Sequence, residues 1–312
     1  MNKKILIFIK VLVTVGLIAW ILDRVEISNT MLFLRNSSPE YFLAALLILV
    51  MQSLLAVQRW RRVLLQLKVE LSFVHALRYL WIGLFFNQTL PSSIGGDALR
   101  GYYLCKDGVT LGTSMLGVLL DRFFGMVGLI MLVIITLPLL FHWVDNPVAE
   151  WGMIIVVLGG VAAIIAMLVL DLLPDRLSHW RIIRGLFALA REGRRQLFSL
   201  SPGLILMFSS IIIHLLSVLV VIVLSMGLGV EIAWWGILLV IPLTTLLTTI
   251  PISIAGWGVR EGIVVMGLGY VGVEAEVALA LSILYGLSML LMALPGGAVW
   301  LTLRHSNPEI PG

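Results

Sequence analysis

Cysteine and charge are both scarce in this sequence. The single cysteine, Cys105, excludes an internal disulfide and any metal site built from several cysteines. Charged residues make up 12% of the 312 residues, whereas soluble domains carry about a quarter, and 60% of the residues are hydrophobic. Together with a mean hydropathy of +1.08, this composition is typical of a chain that resides in lipid and excludes an ordinary soluble enzyme.

Familiar catalytic and nucleotide-binding motifs are also missing. The chain contains no Walker A loop, no paired His-x-x-x-His, no Gly-x-Ser-x-Gly elbow and no Cys/His cluster. These absences disfavour an ATP-driven pump and a familiar hydrolase, so we expect no enzymatic activity, no cofactor and no metal. The net charge of +4 comes from positive residues beside apolar runs, without a nucleic-acid-binding motif, so no nucleic-acid partner is expected.

Long apolar runs dominate what is present. A helix needs roughly 20 apolar residues to cross the hydrocarbon core of a bilayer. The first run follows Lys3 and Lys4, as in a signal peptide, but no small-residue cleavage site follows it, so we expect a retained anchor. Six runs predict full transmembrane helices: Ile5 to Leu22, Tyr41 to Val63, Ser114 to Phe141, Trp151 to Leu170, Leu204 to Gly227 and Val277 to Leu303.

Loop charges predict the topology, because positive residues mark the cytoplasmic side of a membrane protein. The basic loop at 171–202 holds six arginines and is expected in the cytoplasm, whereas 142–150 has acidic residues only and is expected outside. Both termini and the end of the second run are also expected in the cytoplasm. The residues that indicate this are Lys3, Lys4, Lys10, Arg59, Arg61, Arg62, Lys68, Arg304 and His305.

The basic loop also contains apolar residues at helical spacing between Leu177 and Ala190. This spacing predicts a helix that lies on the anionic inner leaflet. An ordinary solvated connector, whose charges only orient the protein, explains the same residues.

Two stretches must enter and leave the membrane on one side, residues 70–112 on the cytoplasmic side and residues 231–272 on the external side. Both are apolar, and both are broken in the middle by proline and glycine. The sequence therefore predicts an all-α polytopic membrane protein with about six full transmembrane helices and two oppositely oriented re-entrant helical hairpins. A full span over 71–106 is the alternative if loop charges mislead.

The two breaks share the pattern P-x-S-I-[GA]-G-x-x-x-R. Pro91 and Pro251 are 160 residues apart, and so are Arg100 and Arg260. Equal spacing indicates a duplication, with repeats at about 41–141 and 204–303 inside a single membrane domain that covers 1–312. Many secondary transporters are inverted repeats of this kind, and their binding site lies where broken helices meet near the midplane.

Each part of the pattern has a physical role in binding an anion. Proline ends the entering half-helix, glycine permits the tight turn, and the next half-helix offers N–H groups to an anion. The arginine adds a full charge, and placing it at the bilayer centre costs on the order of 3 kcal/mol. The predicted substrate site comprises Asn87, Pro91, Ser93, Gly95, Gly96, Asp97, Arg100, Asp121, Arg122, Pro251, Ser253, Gly256, Arg260 and Glu261.

The two arginines also have a purely structural interpretation. Arg100 can pair with Asp97 or Asp121, and Arg260 can pair with Glu261, only to hold the hairpins together. An intramembrane ionisable residue is a functional candidate by default, and a residue can serve both roles.

Three further site residues carry alternatives of their own. Asp97 is placed to act as the N-cap of the helix that leads to Arg100. Arg122 lies near the cytoplasmic end of its predicted span, where its side chain can snorkel to the interface. Asp121 is too short for that and needs a partner inside the protein.

Three segments resemble the lysylphosphatidylglycerol synthase transmembrane family, also called flippase-like membrane proteins. They are N-x-x-L-P-S-x-x-G-G-D-x-x-R from Asn87 to Arg100, D-R-F-F-G from Asp121, and P-I-S-I-A-G-W-G-V-R-E-G from Pro251. The resemblance extends from about Ile5 to Leu303. It implies an inner-membrane protein associated with envelope lipids, glycolipids or isoprenoid lipids. The best-known members carry a cytoplasmic aminoacyltransferase domain; with this chain ending at Gly312, we expect no synthase activity.

The leading functional hypothesis is a flippase-like translocase that moves an anionic or zwitterionic lipid or lipid-linked headgroup across the bacterial inner membrane. Its substrate would be a membrane lipid, either a phospholipid or an isoprenoid-linked lipid. One alternative is a non-transporting accessory subunit that presents lipid to an envelope enzyme. Another is an intramembrane transferase that uses Asp97, Asp121 or Glu261 as a general base. The oligomeric state is left open.

Overall fold

The computed structural model describes residues 3–90, 95–173, 180–250, 253 and 255–305. These residues are helical apart from short connections, and no strand occurs among them. Three of the predicted site residues, Pro91, Ser93 and Pro251, lie outside the described residues.

Twelve α-helices and one turn of 3₁₀ helix, Leu170–Leu172, account for most of the described part of the chain. The α-helices are α1 (Lys3–Arg24), α2 (Ile27–Arg35), α3 (Pro39–Gln66), α4 (Phe73–Thr89), α5 (Gly95–Lys106), α6 (Leu111–Trp143), α7 (Pro147–Leu168), α8 (Arg181–Leu197), α9 (Leu200–Gly227), α10 (Trp234–Thr248), α11 (Val259–Gly269) and α12 (Ala275–His305).

Five of these helices are long and apolar enough to cross a membrane: α3, α6, α7, α9 and the segment Ala275–Leu303 of α12. They confirm five of the six predicted spans. The sixth falls within α1, whose side chains are described from Val11 onward, apart from Leu22 and Arg24. Large apolar side chains such as Ile155 and Leu158 of α7 point away from the bundle and are exposed, as expected of a surface that faces lipid.

The two broken stretches form two pairs of short helices. In the first pair α4 has 17 residues and α5 has 12, and in the second α10 has 15 and α11 has 11. All four are shorter than the roughly 20 residues needed for a span. The members of each pair pack against each other, so the chain folds back at each break and no single helix covers 71–106.

The order of helices in the first half recurs in the second. Helices α3 and α9 both have 28 residues, and α6 and α12 have 33 and 31. The packing recurs as well: α3 packs on α9, α4 packs on α12, and α10 packs on α6. Each short pair is therefore joined to the long last helix of the other half.

Glycines allow the long helices to approach closely. At Gly128 of α6 a Cβ would overlap the side chain of Ser210 in α9, and its distance to the Ser210 carbonyl carbon would be 3.1 Å. Small residues at such crossings permit the close backbone contact that stabilises helix pairs in membranes. The Gly128 position thus brings α6 and α9 together beside the buried polar residues described below.

The basic loop contains a helix, α8, which begins at Arg181, whereas Leu177, where the predicted helical spacing starts, lies outside the described residues. Its side chains Phe187 and Ala190 are buried, because α8 packs against α6, α7 and α9. Arg194 of α8 donates two hydrogen bonds to the Asp171 carboxylate, at 2.9 and 2.8 Å. Helix α8 is therefore docked on the bundle, although Ile182 near its start is exposed.

The Asp171–Arg194 pair predicts how the docking of α8 responds to pH. The hydrogen bonds from Arg194 hold the pKa of Asp171 below its ordinary value, which is about 3.9. A lowered folded pKa contributes stability that is present above the ordinary value and is lost as the pH falls toward the folded value. We expect hydrogen-exchange protection of α8 to stay constant from pH 7 to about 4.5 and to fall at lower pH. Asp171→Asn should lower it from pH 7 to about 4.5 and remove most of the fall at lower pH; a loss of protection between pH 7 and 5 in the parent would contradict the assignment.

Candidate functional site

The start of α5 is fixed against the end of α4 by close backbone packing. At Gly96 a Cβ would overlap the carbonyl oxygen of Gly83 and lie 2.6 Å from the Asn87 Oδ1 atom. Asn87 Oδ1 accepts a hydrogen bond from the Gly96 N–H at 3.0 Å. Glycine is required here for space, and Asn87 joins the two helices across the break.

Five charged side chains form a continuous chain of ion pairs just beyond this turn. Asp121 of α6 accepts from Arg59 Nε of α3 at 2.9 Å and from Arg100 Nη2 of α5 at 3.1 Å. Arg100 Nη1 lies 3.4 Å from Asp97 Oδ1, and the second Asp97 oxygen pairs with Arg122. All are buried except Arg122, whose side chain is 37% exposed. We call these five residues the ion-pair cluster.

Arg100 lies at the centre of the cluster in a tightly defined position. Its guanidinium carbon is 4.2 Å from the centroid of the Trp60 ring, a distance at which a cation and an aromatic face attract. Gly83 leaves the space for its stem, since a Cβ there would lie 2.8 Å from Arg100 Cδ. Arg100 Nε is buried and has no acceptor among the described residues, so one donor of this arginine is unused.

A cavity of about 320 Å³ adjoins the cluster, and we call it the first cavity. All five cluster residues line it, together with polar side chains that include Gln52, Asn87 and Gln88. It lies among α3, α4, α5, α6, α9 and α12. Because Arg100 lines this cavity, its largely buried positive charge is suited to an anionic group such as a phosphate.

The second break places Arg260 in a different electrostatic setting. Arg260 Nε and Nη2 donate to Glu261 Oε1 at 2.9 and 2.6 Å, and Glu261 Oε2 accepts from the Gly258 N–H at 2.6 Å. The turn needs glycine, since Gly256 and Gly258 have φ of +82° and +83°. The Arg260 guanidinium lies 4.5 Å from the Trp257 ring centroid. Both motif arginines therefore stack on a tryptophan and pair with a carboxylate.

A second cavity, of about 190 Å³, adjoins Arg260. Its lining includes Ser253, Gly256 and three threonines of α10. Asn87, Gln88 and Met289 line both cavities. The two cavities therefore meet, and the two breaks that are far apart in sequence contribute to one interior region.

The structure brings most of the predicted site residues together. Asn87, Asp97, Arg100, Asp121 and Arg122 line the first cavity, while Ser253, Gly256 and Arg260 line the second. The other described site residues, Gly95, Gly96 and Glu261, line neither cavity. Gly96 packs on Gly83, Gly95 packs on Leu90, and Glu261 pairs with Arg260.

Three local expectations are resolved by these contacts. The ion pairs that a structural role required are present, since Arg100 pairs with both Asp97 and Asp121, and Asp121 thereby has its partner. Asp97 is not the N-cap of α5, because it lies inside the first turn and its carboxylate is directed to arginines. Arg122 does not simply snorkel, because it pairs with Asp97.

Arg59 is the main residue that the sequence analysis misassigned. We used it only as a charge that marks the cytoplasmic end of the second predicted span, whereas it is buried inside α3, where it binds Asp121 and donates to Ser210 Oγ at 3.1 Å. Its position about two turns before the end of α3 was a usable signal, since a loop charge should lie at the end. The roles of Trp60 and Gly83 had no such signal, because both depend on contact with Arg100.

Comparison with known proteins gives two findings. A family model described as "Lysylphosphatidylglycerol synthase TM region" matches residues 7–297. The chain is also similar to a UPF0104 membrane protein of Methanocaldococcus jannaschii, with 29% identity over 124 residues. That match covers 39% of this chain and 35% of the relative, so the chain spans about a third of the curated relative's length.

Proposed function

Because the chain belongs to the lysylphosphatidylglycerol synthase transmembrane family, as its motifs predicted, we propose that this multi-pass membrane protein is a lipid translocase. It would move an anionic or zwitterionic headgroup of a phospholipid or an isoprenoid-linked lipid across the bacterial inner membrane, while the acyl or prenyl tails stay in lipid. The observation that carries the proposal is the meeting of two cavities, each lined by an arginine of the repeated motif. Polar groups along such a route replace the water that a headgroup loses on leaving the interface.

Alternating access requires two gates of opposite orientation. In the proposal, α4–α5 re-enters the membrane from the cytoplasmic side and α10–α11 from the external side, with both termini in the cytoplasm. The recurring helix order and the exchanged packing of α4 on α12 and α10 on α6 support this arrangement. In the proposal, each pair of short helices closes one end of the route that the two adjacent cavities form.

The ion-pair cluster supports an anionic headgroup as the substrate. Arginine binds phosphate oxygens through paired N–H donors, and Arg100 lines the first cavity. The Asp97 and Asp121 carboxylates hold the Arg100 guanidinium in place. A phosphate that enters the first cavity finds that guanidinium already desolvated and oriented, which lowers the cost of binding.

The carboxylates are less suited to the transferase alternative. Asp97, Asp121 and Glu261 each accept hydrogen bonds from at least one arginine. A general base needs a lone pair directed at the substrate, and these lone pairs are engaged in ion pairs. The proposal therefore includes no chemical step.

The test is transbilayer movement of fluorescent anionic phospholipids in proteoliposomes, with Arg100→Gln and Arg260→Gln compared with the parent. Each substitution removes charge-assisted hydrogen bonds, so we expect either one to slow movement by about tenfold or more. Arg62→Gln is the matched control, because Arg62 is an exposed arginine that lines neither central cavity and its loss should leave the rate unchanged. Equal reconstitution and thermal stability of all four proteins are verified first.

The outcomes separate the competing functions. If the parent moves no lipid across several headgroup classes, the translocase is refuted and the accessory-subunit alternative takes its place. If both arginine variants move lipid as fast as the parent, the protein is a translocase whose route does not use the motif arginines.

A further inference from the structure

The second cavity has a wall of hydroxyl groups whose protons are already donated. In α10, the Oγ1 atoms of Thr244, Thr245 and Thr248 donate to the carbonyl oxygens four residues earlier, at 2.7, 2.9 and 2.8 Å. All three threonines line the cavity. A hydroxyl has one proton, so a committed hydroxyl can only accept a further hydrogen bond. This wall therefore selects a ligand that brings donors.

The charge around the second cavity decides between the two common kinds of donor, ammonium and alcohol. Arg260 is the charged residue among the described residues that line it, and no carboxylate is among them. The neighbouring segments 91–94 and 251–254 contain no acidic residue in the sequence. Glu261 is engaged by Arg260 and by the Gly258 N–H. An ammonium group would meet a cation without a counter-charge, whereas an alcohol hydroxyl donates without carrying charge.

The first cavity supplies the complementary part of the ligand. Arg100 lines it and is 6% exposed, so it supplies a largely desolvated positive charge to this cavity. Both cavities share Asn87, Gln88 and Met289 and are therefore adjacent. A headgroup that occupies both would place an anionic oxygen beside Arg100 and hydroxyl groups beside the threonines. The two requirements are joined in a phosphate ester that carries several alcohol groups.

We propose that the substrate headgroup is a polyol phosphate, such as a glycerol phosphate or a sugar phosphate, and that headgroups bearing an ammonium group are disfavoured. This inference rests on the proposed function, because it names the substrate class of the same route. In this proposal the two cavities bind different parts of the headgroup, since the first cavity binds the phosphate and the second cavity selects the alcohol.

The test compares fluorescent phosphatidylglycerol, phosphatidic acid and phosphatidylethanolamine with identical acyl chains in the same proteoliposomes. We expect phosphatidylglycerol to move about two- to tenfold faster than phosphatidic acid for each hydroxyl hydrogen bond gained, and phosphatidylethanolamine to move slowest. Phosphatidylethanolamine moving as fast as phosphatidylglycerol would overturn the inference and leave the translocase intact. Movement of none of the three would refute the translocase itself.

A soluble competitor identifies the source of the headgroup. Glycerol 3-phosphate and short-chain phosphatidylglycerol are each titrated against movement of the fluorescent lipid. We expect the short-chain lipid to compete at a lower concentration, because its tails remain in the bilayer. Equal or stronger competition by glycerol 3-phosphate would overturn the assignment of a lipid ligand.

Variants of the hydroxyl wall test the selecting residues directly. Thr245→Val and Thr248→Val keep the shape of the side chain and remove the acceptor. Each should lower the ratio of phosphatidylglycerol to phosphatidic acid movement by about two- to tenfold. Thr136→Val is the control, since Thr136 also donates to a helix carbonyl but lines neither cavity. An unchanged ratio in both wall variants would overturn the inference, while equal slowing of both lipids would show a merely structural role.

Discussion

Asp121→Ala is expected to destabilise the protein by about 3–5 kcal/mol, the cost of removing one partner from a buried ion pair. Asp121 is 3% exposed, and its two oxygens serve Arg59 and Arg100. Alanine leaves both guanidinium groups in a buried environment without their shared carboxylate. Arg100 keeps only the longer contact to Asp97, at 3.4 Å, so the loss falls mainly on Arg59.

The measurement is the free energy of unfolding by SDS titration in mixed micelles. Asp145→Ala is the control, because Asp145 lies exposed between α6 and α7 and should change stability by less than about 0.5 kcal/mol. The double variant Arg59→Met with Asp121→Ala should be more stable than Asp121→Ala alone, since one uncompensated cation is removed. Equal stability of Asp121→Ala and Asp145→Ala would show that the cluster is hydrated rather than buried.

Gly96→Ala is expected to destabilise the protein by about 3 kcal/mol and to stop lipid movement in whatever fraction remains folded. The new methyl group would overlap the Gly83 carbonyl oxygen and lie 2.6 Å from Asn87 Oδ1. Overpacking usually costs about 1–3 kcal/mol, and the upper end applies because a backbone atom cannot move out of the way alone. Helices α4 and α5 must separate, which displaces Arg100 from Asp121.

Gly112→Ala is the matched control for this substitution. Gly112 lies in the first turn of α6, and no atom lies within 4 Å of the Cβ it would gain. Alanine favours the helix there, so the variant should be as stable as the parent or more stable by up to about 1 kcal/mol. Similar unfolding free energies for the two variants would contradict the close packing of α4 on α5.

Features that depend on a local property were predictable from the sequence. A run of about 20 apolar residues is both necessary and nearly sufficient for a spanning helix, and five of the predicted spans are found. The breaks at Thr89–Gly95 and Thr248–Val259 followed from proline and glycine, and Arg100 and Arg260 were found from their equal spacing in the two repeats.

Features that depend on tertiary contact were not predictable. Arg59 and Asp121 are 62 residues apart, and the sequence around Arg59 does not identify Asp121 as its partner. Helix α2 was missed because a short helix that packs on α12 lacks the length of a span. The meeting of the cavities depends on where Gln88 and Met289 lie relative to each other, which no periodicity encodes.

The exchanged packing of α4 on α12 has a consequence for biosynthesis. At about 5–20 residues per second, the ribosome completes α12 on the order of ten seconds after α4. During that time α4 has no α12 to pack against. The ion-pair cluster does not depend on the second half of the chain. Its members all lie on α3, α5 and α6: Arg59, Asp97, Arg100, Asp121 and Arg122. Their ion pairs can form within the first half of the nascent chain, so these charges can be neutralised before the second half is inserted.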